Sequence, residues 1–164
     1  MSPFEFLKSD LVGKKFKEAH FNITHDWIRS YKEALGYSKA ECENQDFVPH
    51  SFAACMRDSE YSAFEELGLK LSQLLHGSQT YRFFETIKGG DEIESQTEIQ
   101  RLLRKKSKTG DLVFIEFRNL FRRVRRNGIS ESEARGVPVV ESTVNIVVRE
   151  LQKSLLMEWT HERR

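Results

Sequence analysis

The chain is 164 residues long, with 26 basic against 25 acidic residues (net charge +1) and two cysteines, Cys42 and Cys55. That length suits a single domain, residues 1–164, able to bury a core without disulfides. Near-neutrality gives no global field toward nucleic acid or membrane, two unspaced cysteines exclude a disulfide framework and a structural zinc centre, and no apolar run reaches the ~18 residues of a membrane span.

In chain order, residues 1–21 lack the apolar stretch of a signal peptide, and free thiols fit a reducing compartment, so a cytoplasmic location is expected. Residues 14–23, "KKFKEAHFNI", read as a short first strand. Thr24 is placed to cap a helix in which Trp27, Ile28, Tyr31 and Leu35 share a stripe and Gly36 marks the end. Residues 37–48 are polar and unpatterned and read as loop or irregular helix. Pro49 opens a second helix over roughly 51–67, with Phe52, Met56, Tyr61, Phe64 and Leu67 on its apolar side.

Beyond Gly68 the period changes to two. A strand is predicted from about Ser78, with Gln79, Tyr81 and Phe83 on one face, followed by the tight turn "KGGD". Next, Ile93, Ser95, Thr97 and Ile99 alternate with Glu92, Glu94, Gln96 and Glu98, the pattern of a strand buried on one side. "LVFIEFRNLF" sets Val113, Ile115, Phe117 and Phe121 on one face. After a loop at 125–136, Val140, Val144, Ile146 and Val148 alternate against Val139, Glu141, Thr143 and Asn145. A short helix with Leu151, Leu155 and Trp159 is expected in the extension 151–164. A four-strand meander with one apolar face must cover that face, and the 51–67 helix is the large candidate cover. The expected class is α+β: a curved antiparallel sheet around a central helix.

The stretch "LLHGSQTYRFFETIKGGDEI" (74–93), with "VGKKF" near the start and "FVPHSFAAC" before the central helix, resembles the N-terminal-type MaoC-like dehydratases. These are hot-dog relatives of (R)-specific enoyl-CoA hydratases and of the dehydratase part of fatty-acid synthases. The resemblance covers roughly residues 10–150. It implies an acyl thioester on coenzyme A or acyl carrier protein, reversible water addition across an α,β double bond, and a hot-dog dimer. It also implies an Asp and a His in a segment reading Gly-Asp-x-Asn-Pro-x-His after the first helix. There the imidazole handles the proton of water while the carboxylate orients it, and amides at the central helix's N-terminus polarise the thioester carbonyl.

This chain departs from that segment. It reads "EALGYSKAECENQDFVPHSF": Gly36 fits, Tyr37 stands where the Asp belongs, and no Asn-Pro-x-His follows. Asp46 and His50, four apart, are the nearest replacement for a catalytic pair; read plainly they are a loop carboxylate and a polar residue at a helix start. His76-Gly77 is either part of the substrate pocket or a corner, with Gly77 taking a positive φ where helix gives way to strand; the structural role is favoured. Ten basic residues lie between Arg101 and Arg126, opposed in that stretch only by Asp111 and Glu116. Arg104, Arg122 and Arg123 among them could meet coenzyme A phosphates, or the set could be a charged sheet edge that resists aggregation.

Three readings follow. The first is a hot-dog subunit that shapes an acyl channel while a partner hot-dog subunit, in a heterodimer, supplies the Asp/His pair. The second is an active homodimeric hydratase or thioesterase using Asp46 and His50. The third is a non-enzymatic acyl-CoA-binding domain. No cofactor and no metal are expected.

Overall fold

The computed structural model describes Leu7, residues 9–107, 110–126, Gly128, Ser130, Glu133 and 135–149. Its strands are β1 (Ala19–Asn22), β2 (Leu74–Phe83), β3 (Asp91–Ser107), β4 (Gly110–Arg126) and β5 (Val137–Arg149), and its α-helices are α1 (His25–Ala34), α2 (Lys39–Glu43) and α3 (Asp58–Glu66). The strands form one sheet in the order β1-β3-β4-β5-β2, every pair antiparallel. Register shifts interrupt the β3–β4 ladder at Glu92/Ile93 and Ile99/Arg101, β4–β5 at Phe121/Arg122 and β2–β5 at His76/Ser78. Such bulges bend a strand and raise its twist, so the sheet curls and receives α3, which packs on β3 and β4.

The core under this curve falls into two apolar halves. In one, Ala63 and Phe64 of α3 and Leu67 at its C-cap meet Ile99, Phe117 and Val144. In the other, Ile28 of α1 and Phe52, Ala53 and Met56 meet Ile93, Phe121 and Val140. A polar row runs between the halves: Thr97 pairs across the ladder with Asn119, Asn119 with Ser142, and Ser142 with Tyr81. Thr97 Oγ1 donates to Asn119 Oδ1 at 2.6 Å, and Asn119 Nδ2 donates to Ser142 Oγ at 3.1 Å. Above the row, Ser59 Oγ accepts from Thr97 N at 3.0 Å, and Glu60 Oε2 accepts from Asn119 Nδ2 at 3.3 Å. Burial of Ser59, Glu60, Thr97, Asn119 and Ser142 is tolerated because each finds a partner, whereas the Tyr81 hydroxyl at the end of the row is buried without one among the described residues.

The α+β class and the one-sided strand faces agree with the sequence expectation, and Thr24 caps α1 by accepting from Trp27 N at 3.1 Å. The expected four-strand meander does not hold: only β3, β4 and β5 are consecutive neighbours, β2 pairs with β5 rather than with β3, and the "KGGD" turn carries the chain across instead of closing a hairpin. Several elements differ. The first strand shrinks to β1, with Lys15 joined to Glu98 by an isolated bridge. The loop at 37–48 contains α2, closed by a capping box in which Ser38 and Glu41 serve each other. The 51–67 helix is broken into a 3-10 turn (His50–Cys55) and α3, the chain leaving helical geometry at Met56 (φ −100, ψ 65). Arg57 offers α3 no side-chain cap; Asp58 and Glu60 in its first turn supply the negative charge its dipole favours. Tyr61 is exposed rather than on the core stripe, where Ser59 and Glu60 sit in its stead. Val139 is buried beside Val140 because it is the residue skipped between Phe121↔Val140 and Arg122↔Pro138, and its carbonyl accepts from Phe84 N at 3.0 Å. The expected helix at 151–159 lies outside the described residues.

Candidate functional site

The segment between α1 and α3 is where the resemblance expects chemistry. Lys32 of α1 is fully buried, and its ammonium donates to the carbonyls of Asn44 (2.6 Å) and Glu41 (3.1 Å). These are carbonyls at the C-terminal end of α2, which its own short helix cannot satisfy. The same ammonium lies 5.2 Å from the Phe47 ring centre, and Phe47 meets Tyr37 edge to face at 5.7 Å. Tyr37 is therefore half-buried in an aromatic contact. Glu41 accepts from Ser38 N at 2.9 Å and Ser38 Oγ at 2.6 Å, and these bonds hold its carboxyl below the usual range.

Asp46 is exposed, and its N–H donates to Asn44 Oδ1 at 3.0 Å. His50 opens the 3-10 turn and lies against Phe83, ring centres 4.4 Å apart. Among the described residues no hydrogen bond or ion pair joins Asp46 to His50. The carboxylate that shares a shallow pocket with His50 is Glu85, from the connection after β2, and Glu85 is engaged by Arg123 at 2.7 Å. That neighbour was beyond sequence reasoning, because its link to His50 runs through the stacked Phe83.

His76 and Gly77 sit within β2, not at a corner before it. His76 is exposed and faces Ile146; Gly77 is the bulge residue between His76↔Ile146 and Ser78↔Asn145. The expected positive φ is absent. Glycine suits the close approach there, since an added Cβ would stand 3.1 Å from the Asn145 carbonyl oxygen, which would have to give by a few tenths of an ångström.

The basic residues do not gather in one place. Arg104 faces Val113 near the β3–β4 hairpin end, while Arg122 faces Glu94 near the other end of the same ladder. Arg123 is buried: Nη1 donates to Glu85 at 2.7 Å, Nη2 to the Thr86 carbonyl at 3.3 Å, and Nε lies 3.5 Å from Asp91. Arg126 grips fully buried Asp91 with two bonds, 2.6 and 2.8 Å, and donates to Thr86 O at 2.8 Å. Asp91 Oδ2 also accepts from Lys88 N at 2.8 Å. This is a clamp on the 84–91 turn, and it leaves Arg123 no free arm for a phosphate. The sequence reading named Arg123 but not its acids, which come from other elements.

A second buried charge also escaped the sequence. Glu60 lies under α3 and accepts from Arg57 through both oxygens, Arg57 Nε at 3.3 Å being one donor. The carboxylate in turn raises the Arg57 guanidinium's pKa. Burial likewise pushes the Tyr81 phenol up.

With this geometry established, comparison with known proteins assigns the class. Residues 10–130 match the family described as "FAS1-like, dehydratase domain region". The chain belongs to that family of hot-dog dehydratases and hydratases. Its fold is similar to the C-terminally truncated HadBC (3R-hydroxyacyl-ACP dehydratase) complex of Mycobacterium tuberculosis, at 14% identity over 85% of this chain and 98% of that one, TM-score 0.60. It is also similar to the ChsH1-ChsH2 complex of the same organism (10% identity, 84% and 85% covered, TM-score 0.60). The MaoC-like dehydratase of Rhodospirillum rubrum aligns at 18% identity over 85% and 94%, TM-score 0.56. At these identities the likeness is one of fold. No curated protein matches the chain.

Proposed function

We propose that this chain is an acyl-thioester-binding hot-dog subunit of the 3-hydroxyacyl dehydratase/enoyl hydratase type that lacks its own Asp/His pair and works with a catalytic partner. The observation that carries this is the 37–50 segment. Where the reaction needs a carboxylate within hydrogen-bond reach of an imidazole, Tyr37 packs on Phe47, Asp46 faces water, and His50 stacks on Phe83.

The partner reading draws support from β2. Among the described residues it pairs on one side with β5 and has no strand on its other edge along ten residues. Open edges of that length invite another strand. A partner's hot-dog sheet adding there would cover His76, Gly77 and exposed Leu75 and bring its own catalytic loop to the seam. That the HadBC and ChsH1-ChsH2 neighbours are two-component complexes agrees with this. The substrate would be an acyl chain on coenzyme A or a carrier protein. Arg104 and Arg122 remain the phosphate candidates, and because they lie at opposite ends of the ladder a single phosphate would meet one of them.

The test is a hydration assay with crotonyl-CoA, on the purified chain alone and after co-expression with a MaoC-like protein encoded beside it. Turnover only in the mixture supports the proposal. Turnover by the chain alone that is lost in His50→Ala overturns it in favour of a homodimeric hydratase or thioesterase using His50. Tight acyl-CoA binding with no turnover in either case points to a non-enzymatic binding domain.

A further inference from the structure

The convex face of the sheet carries a second cluster of chemically able side chains, remote from the 37–50 segment. His20 lies in β1 and Glu18 just before it, two positions back along the chain. His20 lies directly across the ladder from Glu94 of β3. Ile93 and Ser95, which flank Glu94, are buried, so Glu94 points outward, to the same side as His20. The three side chains bring one ligand atom each, two carboxylate oxygens and an imidazole nitrogen, all within 4.8 Å of one another.

Two further observations bear on a ligand. First, the donors are available. Among the described residues neither the His20 ring nor the Glu94 carboxylate has a hydrogen bond or an ion pair, although Arg122 is Glu94's cross-strand neighbour on β4. Gln96 Nε2 donates to Glu18 Oε1 at 2.9 Å, which orients that carboxylate and leaves its other oxygen open. Second, His20 and Glu94 form part of the wall of a cleft of about 730 Å³, which Arg122 and Arg135 also line. A cation held by the three donors would therefore have its remaining positions turned to an open, polar space.

We propose that Glu18, His20 and Glu94 form a binding site for a divalent transition-metal ion, zinc by preference. One imidazole and two carboxylates match the N/O donor set that zinc accepts at ~2.0–2.2 Å. The imidazole selects against magnesium and calcium, which take oxygen ligands. Two carboxylates neutralise the ion, and the fourth position faces the cleft, where water or a small anion beside Arg122 completes it. The cluster is not visible in sequence spacing, because Glu94 is joined to Glu18 and His20 only by strand pairing.

The experiment is calorimetric titration of the full chain with zinc chloride in a non-chelating buffer, repeated with magnesium chloride. It is run in a Cys55→Ser background, because the Cys55 thiol is exposed and cysteine sulfur is itself a zinc ligand. The expected result is one zinc per chain, no heat with magnesium, and at least a tenfold loss of zinc affinity in both His20→Ala and Glu94→Gln. His76→Ala, which removes another exposed histidine of the sheet, should leave it unchanged. Circular dichroism checks that the two variants stay folded, as expected for side chains on the outer face. Absence of zinc binding, equal binding of magnesium, or affinity untouched by His20→Ala overturns the proposal.

Discussion

Two loops of this molecule, the 84–91 turn and the 37–50 segment, stand at the same apolar half of the core and are held in opposite ways. The first is pinned by charge: Asp91 fully buried, Arg123 and Arg126 converging on it and on Thr86. The second is held by packing and one ammonium: Lys32 on two carbonyls and a ring, Tyr37 on Phe47, and the two polar residues proposed for chemistry left outside. The difference teaches that charged residues in a hot-dog domain need not mark its reactive end. Here the densest buried charge is architectural, and the segment where relatives are expected to react is built mostly from aromatic and backbone contacts.

The sharpest way to break that contrast is Asp91→Ala. It leaves Arg123 buried against a carboxylate that is gone and frees the Lys88 amide. Removing one member of a buried ion pair costs about 3–5 kcal/mol, so the urea midpoint should fall steeply, with Asp91→Asn recovering part of the loss. A loss below about 1 kcal/mol would mean that water reaches the clamp. The matching change in the other loop is Lys32→Met, which keeps the buried stem and removes the donor to Glu41 and Asn44. Two carbonyls then lose a charged partner, and about 2 kcal/mol should be lost on the same denaturation curve.

Much of the contrast's background was legible in the sequence, and the reason is local. Period-two burial at Ile93, Ser95, Thr97 and Ile99, the "KGGD" turn and the Thr24 cap each follow from residues within one element's reach. What was not legible depends on partners brought together by pairing. The basic stretch 101–126 holds only Asp111 and Glu116 against it in sequence, but in the sheet Arg118 meets Glu141 at 2.6 Å, Arg123 meets Glu85, Arg125 meets Glu92 at 3.2 Å and Arg126 meets Asp91. Ser59 and Glu60 face inward on α3 because Thr97 and Asn119 wait on β3 and β4, so an apolar-stripe rule picks Tyr61 wrongly. The candidate pair Asp46 and His50 was a guess from spacing, and spacing along a loop does not fix which way a side chain turns.

A gentler probe of the exposed half of the comparison is His50→Ala. The ring is exposed and lies against the Phe83 face, so the stability cost should stay at about 0.5 kcal/mol. If the subunit reading holds, turnover in a mixture with a catalytic partner should change less than about twofold, because the carboxylate beside the imidazole, Glu85, is engaged by Arg123. A drop of a hundredfold or more at unchanged stability would move the chemistry back onto this chain.

The smallest expected effect concerns Glu41. Its carboxyl is fully exposed, yet two bonds from Ser38 lower its pKa in the folded state. The sign follows from linkage: a depressed acid pKa means that the folded form binds protons less readily than the unfolded one. The capping box of α2 therefore contributes above the ordinary glutamate range and loses its contribution as pH falls through the lowered folded pKa. In carboxyl-detected NMR, Glu41 should titrate below the other exposed glutamates. Ser38→Ala should return it toward the ordinary value and fray α2, while Asp91, Arg123 and Arg126 stay unmoved. A shift that spreads from Ser38→Ala to the 84–91 turn would show the two loops to be mechanically coupled rather than separately held.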